Sequence, residues 1–168
     1  TVYRLYCKLD GEFPRNAEPL SKNLSKLGEA VVEKKADVGF ATDPDGDRLA
    51  VVDEKGHPLG EEYTLPICAD AFLSSTSSTV PLVTNLSTTM ALDQVAAKHG
   101  SFVIRSAVGE INVVNRMKET GALLGGEGNG GIILSESHYG RDSLVGVTLF
   151  LNRMASENQT VSEIYKSK

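Results

Sequence analysis

Asp43, Asp45 and Asp47 alternate along the hexapeptide Asp43-Pro44-Asp45-Gly46-Asp47-Arg48. Carboxylates this close repel one another and raise each other's pKa unless a cation sits between them. Hard oxygen ligands with no His or Cys beside them suit Mg²⁺ or Ca²⁺ rather than zinc. Pro44 stiffens the entry to the loop, and Gly46 lets it turn sharply. The hexapeptide therefore reads as a metal loop rather than a solvated acidic turn.

A loop can hold an ion only if rigid elements fix its ends. Two apolar runs do so here: Asp37–Thr42 and Leu49–Asp53 read as strands, the second closed by the turn Glu54-Lys55-Gly56-His57. Upstream, Leu20, Leu24, Leu27 and Val31 recur at helical spacing behind Pro19. Downstream the chain alternates. Helices are expected over Glu61–Leu73, Met90–Lys98, Glu110–Glu119, Ser143–Ala155 and Val161–Tyr165. Strands are expected over Val80–Thr84, Phe102–Arg105, Leu123–Gly125 and Ile132–Leu134. Ser87, Thr88 or Thr89 would cap the Met90 helix and Gly100 would stop it. The Ser143–Ala155 run is apolar nearly all round, which predicts burial on more than one side. Strands separated by helices imply an α/β fold, layered α/β/α, with mixed and mostly parallel sheets. The shift near His57–Gly60 places a domain boundary, giving units 1–57 and 58–168. Ser74–Thr79 reads as a solvated loop.

Composition narrows the partners. The chain has 168 residues, 40% of them hydrophobic, and a net charge of −5. This is a globular composition that argues against nucleic acid, whose phosphates need a basic patch. No apolar stretch is long enough to span a membrane. Cys7 and Cys68 lie far apart and read as reduced thiols. The start, Thr1-Val2-Tyr3-Arg4, is neither an initiator methionine nor a signal peptide. The expectation is a cytoplasmic protein cut from a longer one.

Two other metal or phosphate sites share part of the loop pattern. An EF-hand would use Glu54, twelfth from Asp43, but it requires glycine where Arg48 stands and helices where strands are expected. A phosphatase of the haloacid dehalogenase type would use Asp43 as nucleophile, and Asp47 would then crowd its site with a further anion. The phosphatase stays as an alternative, as does a non-catalytic metal- or sugar-binding module.

The hexapeptide closely resembles the metal loop of the α-D-phosphohexomutases, the phosphoglucomutase and phosphomannomutase family. Gly126-Glu127-Gly128-Asn129-Gly130-Gly131 is similar to that family's sugar-binding loop, followed by Tyr139-Gly140-Arg141-Asp142. Val108-Gly109-Glu110-Ile111-Asn112 resembles another active-site segment. Gly11-Glu12-Phe13-Pro14-Arg15-Asn16, with Glu18-Pro19, resembles what precedes the metal loop. The resemblance covers nearly the whole chain. It implies the second half of domain 2 and all of domain 3 of a four-domain enzyme, without the phosphoserine domain 1 and the phosphate-clamping domain 4.

The resemblance also implies a reaction and roles for particular residues. The parent enzyme would move phosphoryl between O1 and O6 of a hexose phosphate, through a phosphoserine and a bisphosphorylated sugar. Asp43, Asp45 and Asp47 would hold Mg²⁺, and Arg48 would contact phosphoryl oxygens unless it merely pairs with Asp53 or Glu54. Glu127 and Asn129 would hydrogen-bond sugar hydroxyls, with Glu127 exposed at its turn and accepting from two of them. The common family loop has Ser where Asn129 stands and His where Gly131 stands. Many members also carry a basic residue where this chain has Ala107. The general acid/base is therefore unassigned, with Arg105 and His138 as candidates and His57 and His99 read as surface. The nucleophilic serine is absent. None of Ser74, Ser75, Ser77 and Ser78 sits in its motif, and the chain alone is expected to be inactive.

Overall fold

The computed structural model describes residues 1–76 and 79–167. Ser77 and Ser78, with that part of the expected Ser74–Thr79 loop, lie outside the described residues. Ser74 and Ser75 belong to a helix end.

The N-terminal part of the chain is a hairpin with one helix on it, and the hairpin's Leu49 and Val51 enter the main core. β1 (Gly39–Thr42) and β2 (Leu49–Val52) pair antiparallel, Thr42 opposite Leu49, so the hexapeptide is the hairpin's loop. α1 (Ser25–Lys34) follows a short 3₁₀ turn over Ser21–Asn23, later than the leucine spacing suggests. Its Val31 packs with Leu24, Ala41, Ala50 and Val52 in a small core. No strand forms over Val2–Cys7.

The C-terminal part is built on a four-stranded sheet in the order β4-β3-β5-β6. β3 (Leu82–Asn85) runs parallel to β4 (Val103–Ser106) and to β5 (Leu124–Glu127), while β6 (Gly131–Leu134) folds back antiparallel on β5. Alternation along the strands divides the core. Leu82, Leu124 and Ile132 face the layer that includes α2 (Thr64–Ser75), α3 (Ala91–Lys98) and α5 (Ser143–Glu157), with α6 (Val161–Lys166) adding Val161 and Ile164. Val83 and Ile133 face α4 (Glu110–Thr120) through Val113, Val114 and Met117. The α/β layered fold with a mixed, mostly parallel sheet is thus present.

α2 is the central helix, buried from Thr64 to Leu73. A helix apolar all round belongs inside. α5 departs from that expectation: Ser143, Gly146, Phe150 and Arg153 form one buried stripe, whereas Leu144 is 72% exposed and Leu151 43%. Val145, Val147, Leu149 and Met154, partly buried, widen that stripe against the core, while Leu144 and Leu151 stay exposed.

His99 is a second correction. It is not a surface residue: its Nε2 lies 2.7 Å from Asp70 Oδ1, and Arg153 Nε donates to Asp70 Oδ2 at 2.6 Å. The knot ties α2, α5 and the end of α3 together. His57 is exposed, as expected. The α3 cap also differs. The Thr89 hydroxyl accepts from Ala91 N, but the capping position is Met90, with no side-chain bond of its own.

Cys7 is exposed and Cys68 buried, both free thiols. Burial pushes Cys68 up to about 12. Among the described residues, no helix is long and apolar enough to cross a membrane.

Asp142 caps α5, with Oδ1 accepting from Leu144 N at 2.7 Å and Val145 N at 3.3 Å. Asp142→Ala should cost about 1 kcal/mol, the usual loss of an N-cap. A urea melt checks this, and an unchanged midpoint would show that the cap does not matter.

Candidate functional site

The Asp43–Arg48 loop starts from a buried anchor. Asp43 is 3% exposed, and its Oδ1 accepts from the amides of Asp47 and Arg48, each at 3.1 Å. Arg48 Nε donates to Oδ2 at 2.5 Å. Burial alone would raise this carboxyl, but Arg48 and the backbone amides outweigh it and hold Asp43 below its usual value. Asp45 is exposed and Asp47 half-buried. One carboxylate oxygen from each of the three lies within 4.8 Å of the others.

Asp47 departs most from ordinary behaviour. Burial and the neighbouring Asp43 push its carboxyl up to about 6, although Arg141 pulls the other way. Its Oδ1 is buried with no hydrogen-bond partner among the described residues. A carboxylate oxygen with no hydrogen bond, only the Arg48 guanidinium 3.7 Å away, inside a carboxylate trio fits a divalent cation: hard donors, close spacing and a free lone pair.

Arg48 does not pair with Asp53 or Glu54. It joins Asp43 and, through Nη1 at 2.7 Å and Nη2 at 3.2 Å, both oxygens of Glu18. These bonds raise its pKa further. Asp53 instead accepts from the amides of Lys55 and His57 in its own turn, and Glu54 holds Ser162.

The glycine loop connects β5 to β6. Glu127 is not exposed at a turn, as expected from its glycine neighbours, but is 4% exposed in the last position of β5. Asn85 Nδ2 donates to its Oε1 at 2.7 Å, Gly109 N to the same oxygen at 3.3 Å, and Arg141 Nη1 to Oε2 at 2.9 Å. The sheet causes this, because Glu127 pairs with Gly131 and lies beside the ends of β3 and α4. Asn129 is half-buried, and its Oδ1 accepts from Gly131 N at 3.1 Å.

Three contacts bring the loops together. Leu49 N donates to Gly130 O at 2.9 Å, Ser143 N donates to Gly46 O at 3.1 Å, and Arg141 pairs with Asp47. Gly130 has φ +91°, and a Cβ there would lie 2.4 Å from Leu49 O. Only glycine permits both the turn and this approach.

Several residues at this site carry no local signal of a role in the sequence. Asn85 at the end of β3 and Thr88, one of the residues read as a helix cap, hold the glycine loop: Thr88 Oγ1 accepts from Gly128 N at 3.0 Å and donates to Asn85 Oδ1 at 2.9 Å. A polar run directly after a buried strand is the clue that could have found them. Of the acid/base candidates, Arg105 binds Asn85 O, Thr88 O and Asp93, and so braces that loop. His138 is half exposed, with Nε2 3.0 Å from Asp142 Oδ2.

Two family models match the chain: alpha/beta/alpha domain II of phosphoglucomutase/phosphomannomutase over residues 1–56, and domain III over 60–168. The chain belongs to the phosphoglucomutase/phosphomannomutase family, the phosphohexomutases. It is 35% identical over 156 residues to a phosphoglucomutase/phosphomannomutase of Thermococcus kodakarensis, which covers 92% of this chain and 34% of that protein. It is 37% identical over 137 residues to a phosphoglucosamine mutase of Nitratidesulfovibrio vulgaris, covering 80% of this chain and 30% of the relative. A solved structure of a phosphoglucomutase/phosphomannomutase family protein from Burkholderia thailandensis shares the fold, with a TM-score of 0.76 at 24% identity, covering 90% of this chain and 33% of the other. The chain thus spans about a third of the length of the curated relatives it matches.

Proposed function

We propose that this chain forms the metal-binding and sugar-binding part of a phosphohexomutase, one that transfers phosphoryl between O1 and O6 of a hexose phosphate through a phosphoserine and a bisphosphorylated sugar. In this reading residues 1–57 are the end of domain 2 and 58–168 are domain 3. Domains 1 and 4 supply the serine and the phosphate clamp. The observation that carries it is the meeting of Asp47, one of the carboxylate trio, and Glu127 on one guanidinium, Arg141. A single hexose phosphate could then engage both loops.

Asp43, Asp45 and Asp47 would hold Mg²⁺. When bound, the ion supplies charge neutralisation for the phosphoryl oxygens. Arg48, fixed by Asp43 and Glu18, offers its remaining N–H groups to the same oxygens. Glu127 has about four lone-pair sites, and three are taken by Asn85, Gly109 and Arg141. That leaves room for one sugar hydroxyl on Oε2, not two. Asn129 has its oxygen engaged by Gly131 and so donates through Nδ2. Glucose, mannose and glucosamine phosphates all present hydroxyls that suit this pair.

The phosphatase alternative is disfavoured by Asp43 itself. A nucleophile must reach phosphorus in line, whereas Asp43 is buried with Oδ1 held by two amides and Oδ2 by Arg48, which leaves one Oδ2 lone pair, enough for a metal contact.

Mg²⁺ titration of the chain, followed at the Gly46 amide resonance, tests the reading. Saturation is expected in the millimolar range. Asp45→Asn should weaken it about tenfold while leaving the melting temperature unchanged, because Asp45 is exposed. A Gly46 resonance that does not move would exclude the metal loop. The chain alone should not turn over hexose 1-phosphates even with a bisphosphate activator, since positioning by the other domains is missing.

A further inference from the structure

We propose that Arg141 is a positioning residue that couples the metal loop to the sugar loop electrostatically, as one counter-ion shared between Asp47 and Glu127. The proposal rests on the metal and sugar reading of the two loops. Arg141 follows β6 and belongs to neither loop, yet its side chain spans both. Nη2 pairs with Asp47 Oδ2, Nη1 donates to Glu127 Oε2 at 2.9 Å, and Nε lies 3.3 Å from Glu110 Oε2. Its backbone amide donates to Glu110 Oε1 at 2.9 Å, which fixes the base of the side chain. The stem lies where residue 131 has no side chain: a Cβ on Gly131 would meet Arg141 Cδ at 2.3 Å. The side chain is 18% exposed, so little water screens these contacts.

Charge then sets the sign of the coupling. Asp47 offers its orphaned Oδ1 to a cation while Oδ2 remains on Arg141. A positive guanidinium beside the trio opposes cation binding, and it is partly neutralised by Glu127 and Glu110 on its other sides. Arg48 contributes a second positive group, 3.7 Å from Asp47 Oδ1, but is balanced by Asp43 and Glu18. Removing the Arg141 charge should therefore tighten the metal site, and removing the Glu127 charge should loosen it. If Arg141 were only a brace holding the loop in shape, its loss would loosen the site instead. Effects of opposite sign at the two ends of one ion pair thus separate coupling from bracing.

The test is Mg²⁺ titration of the 168-residue chain and its variants, with melting curves to establish folding. Arg141→Met is expected to bind Mg²⁺ about fivefold tighter or more, in the range of ordinary site-to-site couplings. Glu127→Gln is expected to bind it more weakly by a similar factor. In the Arg141→Met background the Glu127→Gln effect should shrink, the non-additivity that marks a direct interaction. Arg141→Lys keeps the charge and should stay near the parent midpoint, which keeps the test valid if the methionine variant does not fold. Arg116→Met removes the same charge from an exposed pair with Glu119 and should change nothing. Weaker or unchanged Mg²⁺ binding by folded Arg141→Met, or a tightened midpoint in Arg141→Lys, overturns the coupling while leaving the metal reading intact. Absence of saturation in the unmodified chain overturns both.

Discussion

Asp70→Ala should cost about 3–5 kcal/mol of stability, the usual consequence of leaving a buried charge without its partner. Asp70 and Arg153 are 1% and 2% exposed. Arg153 Nε donates to Asp70 Oδ2 at 2.6 Å, and Arg153 Nη1 reaches Glu157 Oε1 at 2.8 Å. His99 Nε2 stands on the other Asp70 oxygen, and Lys98 Nζ lies 3.9 Å away. Removing Asp70 therefore leaves the buried Arg153 guanidinium with the half-exposed Glu157 as its one ion-pair partner, facing α2. At about 2–4 °C per kcal/mol for a chain of this size, the melting temperature should fall by roughly 10 °C. The charge-free pair Asp70→Leu with Arg153→Met should recover most of the loss, because the pair together contributes far less than either half alone costs. A loss below about 1 kcal/mol in the single variant, the range of exposed pairs, would show that water reaches the knot.

Glu127→Gln is expected to reduce both stability and catalysis, with the kinetics measured on the complete enzyme. Glutamine keeps the shape but turns one acceptor oxygen into a donor that faces Asn85, Gly109 or Arg141. Leaving a buried donor unsatisfied costs about 1–3 kcal/mol, so the melting temperature should fall by several degrees. One charge-assisted bond to a sugar hydroxyl contributes about 1.5–3 kcal/mol. Catalytic efficiency should then drop roughly tenfold to a hundredfold. A changed melting temperature with unchanged kinetics would make Glu127 a purely structural residue. Unchanged values in both assays would contradict its burial.

These two sites differ from the metal loop in how visible they are in sequence. The carboxylate trio is local: alternation, Pro44, Gly46 and two flanking apolar runs are all contiguous, and the structure brings one oxygen of each carboxylate within 4.8 Å of the others. Strand and helix order was legible for the same reason, since periodicity is a property of neighbouring residues. The expected strand Phe102–Arg105 starts one residue early, and the Glu61–Leu73 helix proves to be a 3₁₀ turn over Glu61–Tyr63 leading into α2. Shifts of that size reflect fraying at element ends, where hydrogen bonding rather than periodicity decides.

The amino-acid sequence by itself determined the α/β class, the family resemblance, the carboxylate loop and the glycine loop, because each is written in contiguous residues whose chemistry is local. Only the tertiary structure decided the state of Glu127, His99 and Arg141. Glu127 is buried because the β5–β6 register carries it to the ends of β3 and α4, where Asn85 and Gly109 donate to it. His99 ends α3 but is drawn to Asp70 on α2. Arg141 meets Asp47 and Glu127 because β2 packs through Leu49 and Val51 into the main core and Leu49 N donates to Gly130 O. Each of these contacts lies between residues distant in the chain. Burial and partner choice depend on what the folded chain brings alongside, and no periodicity or spacing along one segment encodes that.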